Sequence, residues 1–390
     1  MAWQYHTIGD ICTVERGGSP RPIDAFITDD PNGINWIKIG DATESMYITS
    51  TAQKIIPEGA KKSRCVQAGD FILSNSMSFG RPYILKIDGC IHDGWLVLRD
   101  ENYYFDKRFL YYYLSSPAVY RMFQNMAVGG VVNNLNSEMV RKLVVPVPCK
   151  EEQEQIATVL DRINDLISLR KKQLQKLDDL VKSRFVEMFG DPVSNPKEWE
   201  IVPLSNEADI KIGPFGSLLH KEDYIVGGHA LVNPSHIVSG KIVPDHELTV
   251  SDEKYAELAV YHLKVGDVVL GRRGEMGRCA VVEQEGLLCG TGSLIIRSKG
   301  DLRADFIQKI ISFPSFKETI EEMAVGQTMP NLNVPIVSAF QIIKPPKKTQ
   351  DQYYDFVDKM MKTKTITQQG LNKLEQMKQA LMQKYFGEVI

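Results

Sequence analysis

"MAVGGVVNNLN", residues 126–136, and "MAVGQTMPNLN", residues 323–333, say nearly the same thing twice in one chain of 390 residues. The stretches lie 197 residues apart, and sliding the first half along the second at that offset keeps much else in phase. Gly69 and Asp70 fall on Gly266 and Asp267, Gly80 and Arg81 on Gly277 and Arg278, Pro148 on Pro345, and Phe189 and Gly190 on Phe386 and Gly387. From about residue 66 to 191 the offset needs no gap; nearer the start it becomes 196, with Trp3 over Trp199 and Gly17 over Gly213. Gly, Pro and Asn are selected by special backbone geometry, so one register held over so many of them marks a tandem duplication. Two copies are too few for a stacked solenoid and predict two similar domains, which also suits a length beyond the reach of one hydrophobic core.

Each copy has two unlike parts. Residues 1–148 and 191–345 mix short strand-like runs such as "GDFILS", "GDVVLG" and "LVVPVP" with turn signals and a helical patch, and read as α+β. Residues 149–190 and 346–390 each read as a long helix. In the first, Leu160, Ile163, Ile167, Leu174 and Leu177 recur at three- and four-residue steps among charged residues. In the second, Met360, Leu371, Leu374, Met377 and Leu381 do the same, with a weak point at "TKTITQQG", where β-branched residues and Gly370 disfavour helix. A narrow apolar seam on a long charged rod needs a partner, and the economical one is the other copy's rod. The expected fold is therefore two tandem α/β domains separated by two long antiparallel helices forming a coiled coil, with pseudo-two-fold symmetry. Packing of each helix onto its own domain alone is the competing arrangement.

The composition, 43% hydrophobic and 24% charged with net charge −3, is that of an ordinary globular protein. No run of about 18 apolar residues predicts a membrane span, and the start "MAWQYHTIGD" lacks the build of a signal peptide, so the cytoplasm is the expected compartment. Six scattered cysteines (Cys12, Cys65, Cys90, Cys149, Cys279, Cys289) contain no C-x-x-C pair and signal neither zinc nor redox chemistry.

Catalytic signatures are missing. The sequence holds no G-x-x-x-x-G-K-[ST] phosphate loop, no H-E-x-x-H metal pair and no G-x-S-x-G nucleophile elbow. "NPSH" at 233–236 is similar to the Asn-Pro-Pro-aromatic motif of amino-group DNA methyltransferases, but Ser235 and His236 replace its last two positions. "PDHEL" at 244–248 lacks the lysine of a nuclease metal motif and reads as a turn. No cofactor and no metal are expected.

Binding suits the remaining polar residues better. In the first copy Arg16, Ser19, Arg21, Lys38, Ser74, Asn75, Ser76 and Arg81 sit on predicted turns, and in the second Lys211, His220, Asn233, His236, Arg272, Arg273 and Arg278 occupy matching slots. Such groups bridge phosphates or pair with base edges, Arg with guanine and Asn with adenine. Slots that repeat while their residues change suit two readers of different sequences. Charge is a counterweight: residues 1–148 hold 15 basic and 15 acidic side chains, and residues 191–345 hold 15 and 21. Phosphate neutralisation supplies much of the affinity of DNA binders, so binding by this chain alone is expected to be weak or confined to the arginine loops. Surface loops without a DNA role remain the alternative at this point.

"AVGQTMPNLN", followed by an apolar strand, "KPPKKTQDQ" and a long helix ending in "KYFGE", resembles the specificity subunit of Type I restriction-modification systems. The first copy, "AVGGVVNNLNSEMVRKLVVPVPCKEEQEQIATVLDRI", repeats the pattern with a fuller Pro-x-x-x-Glu-Gln-x-Gln-Ile helix start; "INWIKIGDA" is similar to that family's target recognition domains. Departures are Val132 and Asn133 in place of Ile-Pro, Lys348 in place of Glu, and Gly370 within the seam. The resemblance implies a non-catalytic chain whose two recognition domains each read half of a bipartite, asymmetric double-stranded DNA site, with the helix pair setting the unread spacer. It implies two methyltransferase subunits, which use S-adenosylmethionine on adenine N6, and ATP-driven restriction subunits as partners. Asn134, Asn136, Asn331 and Asn333 are expected to cap turns before each helix. Two other readings compete: a protein-interaction scaffold that never touches DNA, and a self-contained restriction or modification enzyme.

Overall fold

The computed structural model describes residues 3–75, 80–127, 134–324 and 331–387. Ser76, Val132, Asn133, Met329 and Pro330 lie outside the described residues. The chain divides into two units, Met1–Gln173 with Thr367–Ile390, and Leu174–Ile366. Each unit therefore takes part of both long helices, Lys150–Phe189 and Lys347–Phe386.

In the first unit one sheet orders its strands Thr13–Arg16, Trp95–Arg99, Phe71–Ser74, Pro82–Leu85 and Tyr47–Ile48. A second sheet orders Ile27–Thr28, Gln53–Ile55, Ile34–Ile37, Gly89–Ile91 and Arg64–Val66. Strands such as "FILS" and "WLVL" are buried on both faces and read as continuous apolar runs for that reason. The second unit repeats the plan with four strands per sheet, Ala208–Ile212, Ser293–Ser298, Val268–Gly271 and Cys279–Val281 in one, and Tyr224–Ile225, Thr249–Val250, His229–Val232 and Leu288–Cys289 in the other. The repeated Gly-Asp pairs open one strand of the first sheet in each unit. Gly69 and Gly266 adopt φ of 94° and 89°, and the carboxylates of Asp70 and Asp267 accept from the backbone N–H groups of Gln67 and Lys264 at 3.0 and 2.8 Å.

Strand pairing corrects the gapless alignment. Phe71 faces Leu98 while Val268 faces Ile296, so this strand of the second copy runs 198 residues behind its counterpart, although the neighbouring strand keeps 197. One residue was gained between Val282 and Gly290 and lost again before Ala304–Ile311, the counterpart of helix Lys107–Leu114. The side-chain period of a strand is two, so a gapless register would have turned the whole strand inside out.

The helices close the cores. In the first unit Ile156, Ala157 and Leu160, early in the first long helix, share a core with Met382 and Phe386, late in the second. In the second unit Phe185 and Phe189, at the end of the first helix, share a core with Tyr353, near the start of the second. Within each unit the start of one helix thus meets the end of the other, an antiparallel pairing, and packing onto a single domain alone is excluded.

Seam residues fare unequally. Leu160, Ile163, Ile167 and Leu371 are buried, Leu174, Leu177, Met360, Leu374 and Leu381 are half-buried, and Met377 is 54% exposed. Met377 is a correction: the inward position of that turn belongs to Lys378, whose ammonium is partly desolvated beside Lys171. The apolar label misled because a long lysine stem fills a seam position as well as a methionine does. The expected weak point is also corrected. The second helix runs unbroken through Gly370, because Thr367 is buried at that level and the Arg170 side chain packs where a Cβ on Gly370 would point. All six cysteines are free, and Cys65 and Cys90, directly opposite on paired strands, bring their sulfurs within 3.3 Å. Among the described residues no helix is long and apolar enough to cross a membrane.

Candidate nucleic-acid interface

In the first unit the loop at His92, Asp93 and Gly94 gathers four of the eight polar groups singled out in the sequence, Arg16, Ser19, Arg21 and Asn75. Strand Thr13–Arg16 runs into Gly17, whose N–H donates to the Trp95 carbonyl at 2.9 Å. A Cβ at Gly17 would strike the His92 carbonyl oxygen, so only glycine lets "GGSPRP" lie against this loop. Arg16 Nε then donates to the Asp93 carbonyl at 3.0 Å, and the Ser19 hydroxyl donates to Asp93 Oδ1 at 2.9 Å. The Arg21 guanidinium, 85% exposed, stands 3.8 Å from Asp93 Oδ2. From the neighbouring strand Asn75 Nδ2 donates to the Asp93 carbonyl at 2.8 Å, and Asn75 N–H donates to the Gly94 carbonyl at 2.9 Å.

Lys38 joins this group across a cleft. Strand Ile34–Ile37 buries Trp36 and Ile37, and the turn Ile39–Asp41 closes when Asp41 Oδ2 accepts from the Lys38 N–H at 2.7 Å. The Lys38 ammonium donates to Gln53 Oε1 at 2.7 Å. Ser19, Arg21, Trp36, Lys38, Gln53, His92 and Asp93 all line one cleft of about 660 Å³. Ser74 and Arg81 fall elsewhere. Ser74 is fully buried and accepts from the Arg81 N–H at 2.9 Å, while the Arg81 guanidinium donates to the Thr43 carbonyl at 3.2 Å and lies over the Tyr83 ring. Ser74 is therefore a structural residue, a correction to its reading as a contact: its hydroxyl ties the end of "FILS" to Arg81, just before the next strand.

The second unit assembles a different group at the same address. The turn Pro234–His236 replaces Ile39–Asp41, and His236 Nδ1 lies 2.7 Å from the Leu231 carbonyl. Asn233 Oδ1 accepts from the Gly292 N–H at 3.4 Å, and Arg278 Nη1 donates to the Pro234 carbonyl at 3.3 Å. Arg278 also pairs with Glu275, which Lys317 and Arg278 together hold below the usual carboxylate pKa. Arg272 N–H donates to the Gly292 carbonyl, its side chain is half-buried, and burial with the Arg273 guanidinium beside it lowers its pKa from the usual value. Arg273 itself is exposed. Lys211, on strand Ala208–Ile212, and His220, before the turn Lys221–Asp223, are exposed, and no hydrogen bond or ion pair among the described residues ties their side chains to this group.

The doubled sentence has one job in both units. Leu135 and Leu332 are buried, and their N–H groups donate to the carbonyls of Asn75 and Arg272, each at 2.9 Å. Asn136 and Asn333 cap the short helices Ser137–Arg141 and Val334–Ser338, accepting from Met139 and Ile336 N–H at 2.9 Å. Arg272 Nε adds a 3.0 Å bond to the Leu332 carbonyl. The Asn-Leu-Asn turn therefore pins the end of the strand that carries Asn75 or Arg272. Among the described residues Asn134 and Asn331 make no cap, and Asn331 Oδ1 is buried without a partner.

Sequence reasoning missed His92, Asp93 and Gln53. The signal was "IHDGW", an Asp-Gly turn filling the slot that "LCGTGS" fills in the second copy. Among the described residues no three His, Cys, Asp or Glu side chains gather into a set that could hold a metal ion.

A family model described as the Type I restriction modification DNA specificity domain matches this chain twice, over residues 2–179 and 196–376. The Type I restriction enzyme MjaIX specificity subunit of Methanocaldococcus jannaschii is 24% identical over 416 residues, spanning 99% of this chain and 93% of that relative. A chain from a study of complex assembly and conformational transition in the type I R-M system shares the fold with a TM-score of 0.67 at 15% identity, covering 98% of this chain and 97% of that one. The crystal structure of a Type-I restriction-modification S subunit from M. genitalium does so with a TM-score of 0.57 at 13% identity, covering 100% and 97%.

Proposed function

The chain belongs to the Type I restriction modification DNA specificity family, and from that premise we propose that each of its two copies reads one half of a bipartite, asymmetric site in double-stranded DNA. It is a specificity subunit: its role is targeting and not catalysis. The recognition domains of this reading are residues 1–148 and 191–345. Residues 149–190 and 346–390 are the spacer helices, which set the unread interval between the half-sites. The observation that carries the reading is the pair of family matches, one on each copy, over equivalent loops that hold different side chains.

The chemistry follows from the side chains. Arg16, Arg21, Lys38 and Arg81 in the first domain, and Lys211, Arg272, Arg273 and Arg278 in the second, offer donors to phosphates and to guanine edges; Asn75, Asn233, Ser19, His220 and His236 offer shorter hydrogen-bonding arms. The two loop groups differ in charge and reach, which suits half-sites of different sequence. Net charge −3 leaves little general attraction for DNA, so the complex supplies the remaining basic surface. Its partners are methyltransferase subunits, two per chain in keeping with two copies, and restriction subunits; all work in the cytoplasm, where the DNA is.

Single-molecule methylation mapping of the source genome, with and without this gene, tests the proposal. A bipartite adenine-methylated motif that disappears on deletion supports it and reveals the recognised sequence. An unchanged methylation pattern, with the methyltransferase subunits shown to be expressed, counts against it and favours a scaffold.

A further inference from the structure

We infer that the Asp93 carboxylate is the positioning residue that sets half-site specificity in the first domain, by holding Ser19, Arg21 and His92 in one fixed arrangement. The inference rests on the DNA-reading function proposed above and names the residue that organises its first half.

An acidic side chain in a face meant for DNA repels phosphates, so its presence asks for a reason. The geometry gives one. Oδ1 accepts from the Ser19 hydroxyl at 2.9 Å and lies 2.9 Å from His92 Nε2, while Oδ2 faces the Arg21 guanidinium at 3.8 Å. The residue's own carbonyl takes Arg16 and Asn75, so one short loop touches four polar residues, Arg16, Ser19, Arg21 and Asn75, drawn from two other segments. His92 Nδ1 accepts from the Gly94 N–H at 2.9 Å, which fixes Nε2 as the protonated nitrogen and aims it at the carboxylate. The Asp93 side chain is 30% exposed and lines the cleft without filling it.

Arg21 is paired with Asp93 on one side, and its 85% exposure leaves its remaining donors to meet a base or phosphate. A guanidinium already paired on one side loses less freedom when it binds and is restricted in which base edge it meets. Base readout depends on such placement, whereas phosphate contact does not.

The second domain lacks the device. In the loop at Gly290, Thr291 and Gly292 a Cβ on Gly290 would strike Asn233 Oδ1, and that neutral amide oxygen accepts from the Gly292 N–H. The carboxylate is thus a property of one half of the reader.

The test uses the complete complex with its methyltransferase subunits and maps the methylated motif. Asp93→Asn keeps the volume and the backbone carbonyl that anchors Arg16 and Asn75 but removes the charge. The expected result is a first half-site relaxed at one or more positions, with discrimination there reduced roughly tenfold, and an unchanged second half-site. A merely structural role would instead lower methylation at every site while leaving the motif intact, and that result overturns the inference, as does an unaltered motif at full methylation. Should Asp93→Asn not fold, Ser19→Ala removes one hydroxyl from the other end of the same contact and decides between the same outcomes. A wild-type complex that marks no bipartite motif would defeat the proposed function itself, which separates the two failures.

Discussion

The ring of Phe386 stands edge-on to that of Phe109, with centroids 5.7 Å apart and 70° between planes. Phe189 meets Phe306, the counterpart of Phe109, in the same way at 4.8 Å and 66°. Each unit's core is therefore closed by the last aromatic residue of the helix that began in the other copy's sequence. Phe386 is fully buried. Phe386→Ala should cost about 3–5 kcal/mol, measured by denaturant unfolding. A loss below about 1 kcal/mol would show that the helix end is not part of the core.

Asn136 caps its helix through one side-chain oxygen. Asn136→Ala should cost about 1 kcal/mol, and Asn136→Asp much less, because aspartate caps as well as asparagine. Equal losses for the two variants would mean the side chain acts in some way other than capping.

Arg272 and Arg273 are neighbours with different duties. Arg273→Ala should weaken DNA binding by the assembled complex and reduce the salt dependence by about one unit of slope, with thermal unfolding unchanged. Arg272→Ala should lower stability as well, since its Nε bond to the Leu332 carbonyl is lost. Binding titrations at several salt concentrations, beside a melting curve, check both.

Burial beside Lys171 lowers the pKa of Lys378. A lysine whose folded-state pKa lies below its unfolded value destabilises the fold wherever both states are charged, and the cost fades as pH rises through the folded pKa towards the unfolded one. Lys378→Met should therefore stabilise the chain near neutral pH, with the gain shrinking as pH rises towards about 10. Melting temperatures of both proteins across that range test the sign.

If the helices set the spacer, four residues inserted near Leu169 should lengthen the unread interval by roughly one to two base pairs, since a helical turn rises 5.4 Å and a base-pair step about 3.4 Å. Methylation mapping reads the spacer directly. An unchanged interval would remove the helices from that role.

By itself the sequence determined the duplication, the α+β halves, both long helices and the family. These rest on local signals: turn residues fixed by backbone geometry, and apolar spacing that follows the helix period. The doubled Asn-Leu-Asn was legible as a cap at Asn136 and Asn333 because capping is a contact between near neighbours in the chain. Only the tertiary structure decided the rest. That Leu135 pins Asn75, that Gln153 and Gln350 are buried to tie each long helix to the domain before it, and that Asp93 collects Arg16, Ser19, Arg21 and Asn75 are facts about residues far apart in sequence. The one-residue shift of Ser293–Ser298 was hidden because a gain and a loss cancel within a loop-bounded strand, where only pairing with Val268–Gly271 fixes which side chains face the core. Met377 and Lys378 were confused for a related reason: one helical step is about 100°, and hydrophobic character alone cannot place a seam to within one residue when a lysine stem can fill it.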